Sequence, residues 1–600
     1  MRWKIILLAA CAHLSWGIGA GAFPLVGVYQ GQPIRNVPDP AIIAVPRSPA
    51  RTDYYMYGTN ASLNETDRGP RGEFIVHLLP IFHSTDLIHW NLVGDVFRER
   101  PRWMDRAKLI APDIQFHRGK YFVYYTAVSE DENFRTLNGG AIGVATSDSP
   151  TGPWRDNGKP VVEMQKGRWV YDPFVIADDA AGAGGQRYLF YGSYVGGLFA
   201  RKLSADGLRT DAASEVRIAL PDRYEGAYIR KRDGFFYLFV SSANCCNVGL
   251  TGYSVLVGRS RNLLGPYVDR TGASFLDSRA GGTPVATQNG NRWIGPGHNS
   301  IVTDHAGQDW FLYAAVDRAE PNFQGTGLTK RPPMLDPLDW VDGWPVLRGG
   351  AGPSEKMSSR PAAQPGQRSE HSLVLAASDR PGDPLPAFSR EFNRGESLGT
   401  WAQNRVPARA TFGLTPNGRF FFETQPRDLY ADRNTASVLA NPAPPGDYVV
   451  ETKLNFAVPA DFSNYDDVQA GLVIYGDDDR YIKLVHLALN STRQIEFSKE
   501  IPAWPRFGSI LLSPPADTTW LRIVKRAGPS RGQERYTAYT TTQSDPAGAP
   551  INWIRGGTWT HSLGPRARIG LIAMSGTGFT AEFDYLRVSK AEPLSAPSVE

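Results

Sequence analysis

The chain has 600 residues, of which 42% are hydrophobic, 21% charged and 11% aromatic. This composition excludes a wholly disordered chain, a collagen and a coiled coil, and the length predicts two or more domains. A formal net charge of +4 at pH 7 gives no electrostatic reason to expect a nucleic acid or an anionic membrane as a partner. The 61 glycines and 46 prolines favour many turns and short strands over long helices.

The N-terminus is typical of a secretory signal peptide. A positively charged start and an apolar run from Ile5 to about Ala12 precede a small-x-small site that ends at Ala22. We therefore predict a signal peptide over residues 1–22 and a secreted protein, extracellular or periplasmic. The apolar run is too short to span a bilayer. The residues around Cys11 resemble a lipoprotein box, but the run before them is short, which favours secretion over lipidation.

A short aromatic strand that ends in small residues recurs five times, every 48 to 74 residues. Units of several short strands at such a period are typical of propeller blades. We therefore predict a five-bladed β-propeller over residues 23–347, with a large β-sandwich as the alternative. The five copies are Tyr54–Thr59, Tyr121–Thr126, Tyr188–Ser193, Phe236–Ser241 and Trp310–Ala315.

The composition changes after Leu347. Residues 348–387 are rich in Gly, Pro, Ser and Ala and predict a linker or strap. Strand patterns then resume, with a hairpin signal around the acidic turn at Asp477–Asp479. Residues 388–590 are thus predicted as a β-sandwich, residues 591–600 as a C-terminal tail, and the whole chain as all-β.

One ionisable residue lies shortly before each aromatic strand. In a propeller the innermost strands converge on one axis, so these residues are expected to meet. Each one singly is also typical of a turn or a helix cap. Several carboxylates in one cleft are electrostatically costly, but glycoside hydrolysis requires a pair of them. The five residues are Asp39, Asp113, Asp172, Glu225 and His298.

The local sequences around these positions resemble glycoside hydrolase family 43, and in particular its arabinan endo-1,5-α-L-arabinosidases. The similar segments run in order through the first predicted domain. They are Val37–Pro40, Ala111–Ile114, Asp172–Pro173, Gly192–Gly197, Glu225–Ile229, Cys245–Cys246, Gly297–Asn299, Asp336–Leu338 and Gly343–Pro345.

The resemblance implies a five-bladed propeller and an inverting mechanism. It implies Asp39 as the general base, Glu225 as the general acid, and an ionised Asp172 that raises the pKa of Glu225 and orients it. In such a mechanism the two catalytic carboxyl groups stand about 6.5–9.5 Å apart, so that a water fits between them. His298 matches a position on the axis near a bound calcium, and no organic cofactor is expected. The expected substrate-binding residues are Asp113, Tyr194 and Asn299.

The sequence departs from the family pattern in two places. Ile110 stands where a Trp is common, and Val195 where an aromatic is common, so the arabinan assignment is weaker than the family assignment. The neighbouring Cys245 and Cys246 predict either a vicinal disulfide or two buried thiols, and we favour thiols with a packing role.

The second predicted domain resembles the concanavalin-like (jelly-roll) β-sandwich of some β-xylosidases and arabinofuranosidases of the family. The whole chain therefore predicts a secreted, monomeric hydrolase that acts on arabinan from within the polymer, with a polysaccharide or oligosaccharide as its partner. Exo-acting α-L-arabinofuranosidases and β-xylosidases are alternatives in the same class. A non-catalytic carbohydrate-binding protein is the alternative from another class.

Overall fold

The fold is taken from a computed structural model that describes residues 25–129, 138–178, 185–357, 359–398, 401–405, 411–431, 433–465 and 467–594. Strands dominate these ranges, which confirms the all-β class. The helical elements described are short 3-10 turns at Arg102–Met104, Ala212–Ser214, Val248–Leu250, Arg348–Gly350 and Pro386–Phe388. Within the described ranges, no helix is long and apolar enough to cross a membrane. The predicted signal peptide lies outside them.

The first half of the chain forms five sheets in chain order. The strands of the first two sheets, with the small ribbon of β9 and β12, are β1 (Val26–Tyr29), β2 (Gln32–Pro33), β3 (Ala41–Ser48), β4 (Arg51–Tyr57), β5 (Pro80–Ser84), β6 (His89–Asp95), β7 (Ala107–His117), β8 (Lys120–Ser129), β9 (Asn138–Gly139), β10 (Ala141–Ser147), β11 (Arg155–Asp156) and β12 (Arg168–Trp169).

The other three sheets each have four antiparallel strands in chain order. They are β13 (Phe174–Asp178), β14 (Gln186–Ser193), β15 (Gly197–Lys202) and β16 (Val216–Ala219); β17 (Glu225–Arg232), β18 (Phe235–Ser242), β19 (Ser254–Ser260) and β20 (Thr283–Ala286); and β21 (Trp293–Thr303), β22 (Asp309–Asp317), β23 (Pro333–Val341) and β24 (Trp344–Leu347).

These five sheets close into a ring. The strands β3, β7, β13, β17 and β21 contact one another in this order, and β21 contacts β3. A separate apolar cluster fills each space between neighbouring sheets, including the space between the fifth and the first, where Met56 and Leu312 share one cluster. We call this arrangement the five-sheet ring.

The five aromatic segments of the sequence lie on β4, β8, β14, β18 and β22, each next to the strand that lines the centre of the ring. Both faces of these strands pack against a neighbouring sheet, so they carry nearly continuous apolar runs instead of an alternating pattern. Tyr57, Tyr124, Phe239 and Tyr313 are accordingly fully buried.

The second half of the chain forms two large antiparallel sheets. In the eight-stranded sheet, β25 pairs with β43 outside the main order β27-β28-β43-β32-β37-β38-β41, and the seven-stranded sheet has the order β26-β31-β42-β33-β34-β35-β36. We call the pair the two-sheet unit. The strands are β25 (Pro381–Pro384), β26 (Ala402–Asn404), β27 (Phe412–Leu414), β28 (Phe420–Glu423), β29 (Leu429–Tyr430), β30 (Arg433–Asn434), β31 (Val438–Pro442), β32 (Tyr448–Asn455), β33 (Gln469–Asp477), β34 (Arg480–Leu489), β35 (Thr492–Glu500), β36 (Phe507–Leu511), β37 (Thr518–Ala527), β38 (Glu534–Thr541), β39 (Gln543–Ser544), β40 (Pro550–Ile551), β41 (Ile554–His561), β42 (Arg568–Met574) and β43 (Thr580–Ala591).

One apolar cluster contains residues of both large sheets, such as Val450 of β32 and Leu472 of β33. The alternation of buried and half-buried residues along β32 shows that one face of the strand points into this core. The hairpin predicted around the acidic turn is formed by β33 and β34.

The segment predicted as a linker lies against the five-sheet ring. Tyr54 donates its hydroxyl to the carbonyl of Ala363 at 2.6 Å, and Gln364 exchanges two hydrogen bonds with the backbone of Thr52. Near its end, β25 adds to the sheet of the two-sheet unit beside β43. The segment thus contacts both the five-sheet ring and the two-sheet unit.

The two-sheet unit contacts the fourth and fifth sheets of the ring. Thr558 donates its backbone N–H to the carbonyl of Gln288 at 2.8 Å, and Arg279 forms an ion pair with Asp517. This interface fixes the two-sheet unit beside the part of the ring that carries Glu225.

Candidate active site

A residue with a positive φ lies at an equivalent place in every sheet, at the centre of the ring. It comes just before β3 and β13, and at irregularities in the pairing of β7, β17 and β21. Four of the five residues are not glycine. Such residues rarely adopt this conformation, and the strain it causes concentrates at functional sites. The five residues are Asp39 (φ 52°), Ala111 (φ 49°), Asp172 (φ 55°), Gly226 (φ 60°) and His298 (φ 51°).

A cavity of about 630 Å³ opens at one mouth of the ring. Asp39, Asp172, Glu225 and His298 line it together, although 259 residues of sequence separate the first from the last. Three predicted catalytic carboxyl groups thus meet in one cleft. Arg331, at the approach to β23, lines the same cavity.

Asp39 is held as a carboxylate. Its Oδ1 accepts a hydrogen bond from Nη1 of Arg331 at 2.7 Å, and its Oδ2 accepts one from Oγ1 of Thr59 at 2.6 Å. Burial alone would raise the pKa of Asp39, but Arg331, His298 and the Thr59 hydroxyl together lower it to about 2. An ionised carboxylate at this place is suited to accept a proton from water.

Glu225 is held by two hydroxyl groups. Oε1 accepts a hydrogen bond from the Tyr253 hydroxyl at 2.6 Å, and Oε2 accepts one from Ser193 Oγ at 2.9 Å. Burial is the largest influence and raises the pKa of Glu225, with a further contribution from the charge of Asp39. A carboxyl group that keeps its proton above the usual range is suited to protonate a leaving oxygen.

Asp172 differs electrostatically from the sequence expectation. We expected it to be permanently ionised, but burial and the nearby Glu225 raise its pKa well above the usual value. Its Oδ2 accepts the backbone N–H of Gly226 at 3.0 Å, which places it directly beside the Glu225 backbone. Burial and the charge of Glu225 therefore favour the protonated form of Asp172.

Two of the predicted substrate-binding residues lie at the other mouth of the ring. Asp113 and Asn299 line a second cavity of about 420 Å³, and His298 lies between the two cavities and lines both. The irregular pairing of β7 explains the displacement, since Ala111, and not Asp113, occupies the equivalent strained position. Asp113 and Asn299 thus line a different cavity from Asp39, Asp172 and Glu225, and their role in binding substrate stays a prediction.

Tyr194, the third predicted substrate-binding residue, has a structural contact. Its hydroxyl donates to the carbonyl of Ala243 at 2.8 Å, and its own carbonyl accepts the N–H of Asp222 at 2.8 Å. It thereby joins the loop after β14 to the segment that leads into Glu225.

His298 presents little that suits calcium. Its Nδ1 lies 3.4 Å from Oδ1 of Asp39, and burial, the largest influence, lowers its pKa, which favours the neutral ring. Calcium prefers six to eight oxygen ligands. In the part of the chain that the structure describes, no group of three His, Cys, Asp or Glu side chains could hold a metal ion. The residues present do not make an oxygen-rich cage, so we derive no step through a metal.

The cleft walls are largely apolar. Trp169 and Tyr171 stack at 5.3 Å between ring centroids on one side, and Phe74 and Phe323 meet edge to face at 4.8 Å on another. Ile110, which replaces the common Trp, also lines the cavity. Flat apolar surfaces with a few convergent polar groups are typical of sites for small molecules or sugar rings.

The cysteine prediction was wrong in its favoured form. Cys245 and Cys246 form a vicinal disulfide, Cys246 is exposed, and both residues line the carboxylate cavity. A pair of neighbouring cysteines in sequence fits both states, so the sequence alone did not distinguish them.

Sequence reasoning missed four residues that hold the carboxyl groups. Arg331, Tyr253, Thr59 and Ser193 come from the loops and outer strands of the ring, and not from the innermost strands that were searched. Thr59 and Ser193 end two of the aromatic segments, so the small residue of the repeat was an available signal. Arg331 and Tyr253 had none.

Residues 32–345 match the family model described as Glycosyl hydrolases family 43. The chain belongs to this family. It is therefore a glycoside hydrolase, and the family expected from the sequence motifs is confirmed.

The family 43 chain has relatives among characterised proteins. It is 30% identical over 292 residues to the extracellular exo-α-(1→5)-L-arabinofuranosidase ArbA of Cellvibrio japonicus (strain Ueda107), covering 45% of this chain and 80% of that protein. It is 27% identical over 360 residues to the extracellular endo-α-(1→5)-L-arabinanase 1 of Bacillus subtilis (strain 168), covering 57% and 98%. A solved structure of Cellvibrio cellulosa α-L-arabinanase complexed with arabinohexaose is 27% identical, covers 52% of this chain and 96% of that chain, and has a TM-score of 0.43.

If Asp39 is the general base and Glu225 the general acid, the electrostatics predict a broad pH profile whose descending limb is set by Glu225. Asp39 is ionised above about pH 2 because its pKa is lowered to that value. A general acid works only while it is protonated, and the pKa of Glu225 is raised, so activity is expected to be lost as the pH rises through that raised value. We expect kcat/KM on arabinan, measured from pH 3 to 9, to fall on the alkaline side.

The matched variant for this profile is Ser193→Ala. It removes a hydroxyl that lowers the pKa of Glu225 and leaves the carboxyl group buried, so the alkaline limb should move to higher pH. An unchanged limb would show that Glu225 does not set it.

Proposed function

We propose that this family 43 enzyme hydrolyses α-1,5-L-arabinofuranosidic links of arabinan with inversion, using Glu225 as general acid and Asp39 as general base. The observation that carries the proposal is the convergence of these two carboxyl groups with Asp172 in one cleft. Asp39 and Asp172 have a positive φ, and Glu225 directly precedes Gly226, which also has one. The names of the relatives, which are arabinan-active enzymes, support the choice of substrate.

The proposed fold behind this site is a five-bladed β-propeller followed by a concanavalin-like β-sandwich. The closed contacts of five innermost strands and the five clusters between sheets support the propeller. The single core that both large sheets share supports the sandwich. A propeller explains why the inner strands bring distant residues to one axis.

In the proposed reaction, Glu225 gives its proton to the leaving glycosidic oxygen as the bond to the anomeric carbon breaks. Asp39 takes a proton from a water that attacks the opposite face of that carbon. The Tyr253 and Ser193 hydroxyls hold the acid, and Arg331 and Thr59 hold the base. Asp172 orients the acid through the backbone of Gly226.

Arg331 also has donors available for a sugar. Its Nε and Nη2 are buried and have no hydrogen-bond partner among the described residues, and the side chain lines the cleft. We assign these donors to hydroxyl groups of the arabinose ring that is cleaved. Such buried donors would otherwise remain unsatisfied, which is costly.

The second candidate function is exo action by the same chemistry, as an α-L-arabinofuranosidase or a β-xylosidase. One observation favours it: a Cβ on Gly327, which lines the cleft, would lie 3.6 Å from the indole of Trp504 in the two-sheet unit. The two-sheet unit thus reaches the rim of the cleft, and a wall at the rim favours a pocket over an open groove.

The site of action in this proposal is extracellular, as the names of the two relatives say of those proteins. The predicted signal peptide over residues 1–22 is part of the proposal. The partner is a polysaccharide or oligosaccharide, and the enzyme acts as a monomer.

Product analysis tests the proposal. The enzyme is incubated with linear debranched arabinan, an aryl α-L-arabinofuranoside and an aryl β-xyloside, with Glu225→Gln as the control. Early oligosaccharides from arabinan, with both aryl glycosides intact, would support endo action. Monosaccharide as the sole product, or turnover of an aryl glycoside, would support exo action. No product from any of the three would contradict the substrate assignment.

A further inference from the structure

Arg223 lies two residues before Glu225 and is fully buried where the ring meets the two-sheet unit. Its Nη1 donates to Oε1 of Gln494 at 2.7 Å, and its Nη2 donates to the carbonyl of Leu512. Among the described residues, no carboxylate lies within salt-bridge distance of it. A buried cation without an anionic partner is costly. The two hydrogen bonds to the two-sheet unit are therefore what compensates the burial of the Arg223 guanidinium.

A second contact connects the same edge of the two-sheet unit to the acid. Asn247 donates its side-chain amide to the carbonyl of Phe507 at 2.7 Å. A Cβ on Gly252 would lie 1.8 Å from the carbonyl oxygen of Ser509, so the ring loop lies directly on β36 and only glycine fits there. The next residue is Tyr253, whose hydroxyl holds Oε1 of Glu225.

Both contacts reach one structural edge. Gln494 lies on β35, Phe507 and Ser509 lie on β36, and Leu512 directly follows β36, the last strand of the seven-stranded sheet. An edge strand presents backbone groups that need partners. Here Arg223 and Asn247 of the ring supply donors to the carbonyls of Leu512 and Phe507.

We propose that this edge of the two-sheet unit positions the general acid, with Arg223 and the 247–253 loop as the connecting parts. The inference rests on the proposed role of Glu225. Arg223 fixes the backbone just before the acid, and the loop fixes the hydroxyl that holds its Oε1. Placement of a proton donor matters, because a displacement of about 1 Å can cost about 100-fold in rate.

Gln494→Ala in the full chain is the main test, because it removes the acceptor of Arg223 without touching the cleft. Two substrates separate positioning from general damage: the phenyl α-glycoside of α-1,5-arabinotriose, whose leaving group needs the acid, and its 2,5-dinitrophenyl analogue, whose leaving group does not. We expect kcat/KM for the phenyl glycoside to fall about tenfold or more, and that for the dinitrophenyl glycoside to fall less than about threefold.

Two further variants make the test specific. Gln494→Glu keeps an acceptor for Arg223 and should retain the wild-type ratio of the two substrates. Asp517→Asn removes another contact across the same interface, the ion pair with Arg279, and should leave the ratio unchanged. Equal losses on both substrates in Gln494→Ala, or a changed ratio in Asp517→Asn, would overturn the proposal.

Hydrogen exchange gives a readout that does not depend on the substrate. In Gln494→Ala, peptides that cover residues 222–228 and 247–254 should exchange faster than in the wild type and in Asp517→Asn. Unchanged exchange would overturn the proposed connection even if the enzyme is active on another sugar. Faster exchange with a wild-type enzyme that is inactive on arabinan and on both glycosides would instead contradict the proposed function alone.

Discussion

Glu225→Gln is expected to lower kcat/KM for arabinan about 10²–10⁴-fold, the range that general acid catalysis contributes. The amide cannot deliver a proton to the leaving oxygen. It can still accept the Tyr253 hydroxyl and donate to Ser193 Oγ, so both contacts of the side chain persist. The free energy of unfolding should change by less than about 1 kcal/mol. The raised pKa of Glu225 already favours its neutral form, so replacing it by a neutral amide changes the charge of the folded site little.

The measurement compares arabinan with the dinitrophenyl α-glycoside of α-1,5-arabinotriose, whose leaving group needs no protonation. The loss should be large on the first and small on the second. Tyr253→Phe is the matched control: it removes one hydroxyl and keeps the acid, so the pKa of Glu225 should rise further and the rate should fall less than about tenfold. A Glu225→Gln enzyme that cleaves arabinan at the wild-type rate would show that the acid is another residue.

The sequence was sufficient to locate the aromatic strands that lie next to the innermost strands of the ring. Tyr57, Tyr191 and Tyr313 mark strands that are buried on both faces, and an aromatic run is a strong signal for such burial. Counting back from them reached Asp39 and Asp172, which do occupy the strained positions at the ring centre. Because the ring repeats, this part of the site could be predicted from the sequence alone.

The same counting failed where the strand pairing is irregular. In β7 the register shifts between Ile110 and Asp113, so Asp113 faces the other cavity. An irregularity of one or two residues in strand pairing changes the direction of the side chains that follow, and the amino-acid composition does not predict where it occurs. The prediction that Asp172 is ionised failed for a different reason. The pKa of Asp172 depends mainly on its burial, and the residues that bury it come from distant parts of the chain.

Contacts between the two halves of the chain were beyond sequence reasoning altogether. Arg223 and Gln494 are 271 positions apart and belong to no repeat. Arg331 and Asp39 both lie in the five-sheet ring, but 292 positions separate them and neither belongs to the aromatic repeat. Such pairs depend on how whole sheets pack against one another, and that packing cannot be predicted from a single sequence.

Asp39→Asn is expected to lower kcat/KM by about 10³-fold, because the amide cannot take a proton from the attacking water. Unlike Glu225→Gln, this change should also destabilise the fold. Arg331 is buried beside Asp39 and donates to its Oδ1, and an uncompensated buried cation costs about 3–5 kcal/mol. Thermal melting and steady-state rates therefore report two separate effects of one substitution.

The stability effect has a defined pH window. Because the pKa of Asp39 is lowered from 3.8 to about 2, its contribution to the wild-type unfolding free energy is fully present above the unfolded value and is lost as the pH falls toward 2. The difference in melting temperature between wild type and Asp39→Asn should thus shrink below about pH 4. A constant difference down to pH 2 would contradict the lowered pKa.

A double variant separates the chemical role of Asp39 from its structural one. Asp39→Asn combined with Arg331→Met removes the orphaned cation, so the melting temperature should recover relative to the single variant. Activity should not recover, because the base is still missing. Thr59→Val is the milder control. It keeps the Asp39 carboxylate and removes one hydroxyl that lowers the pKa of Asp39, so the acid limb of the pH–rate profile should move to higher pH. If activity returned together with stability in the double variant, Asp39 would be a structural residue and the general base would have to be sought elsewhere in the cleft.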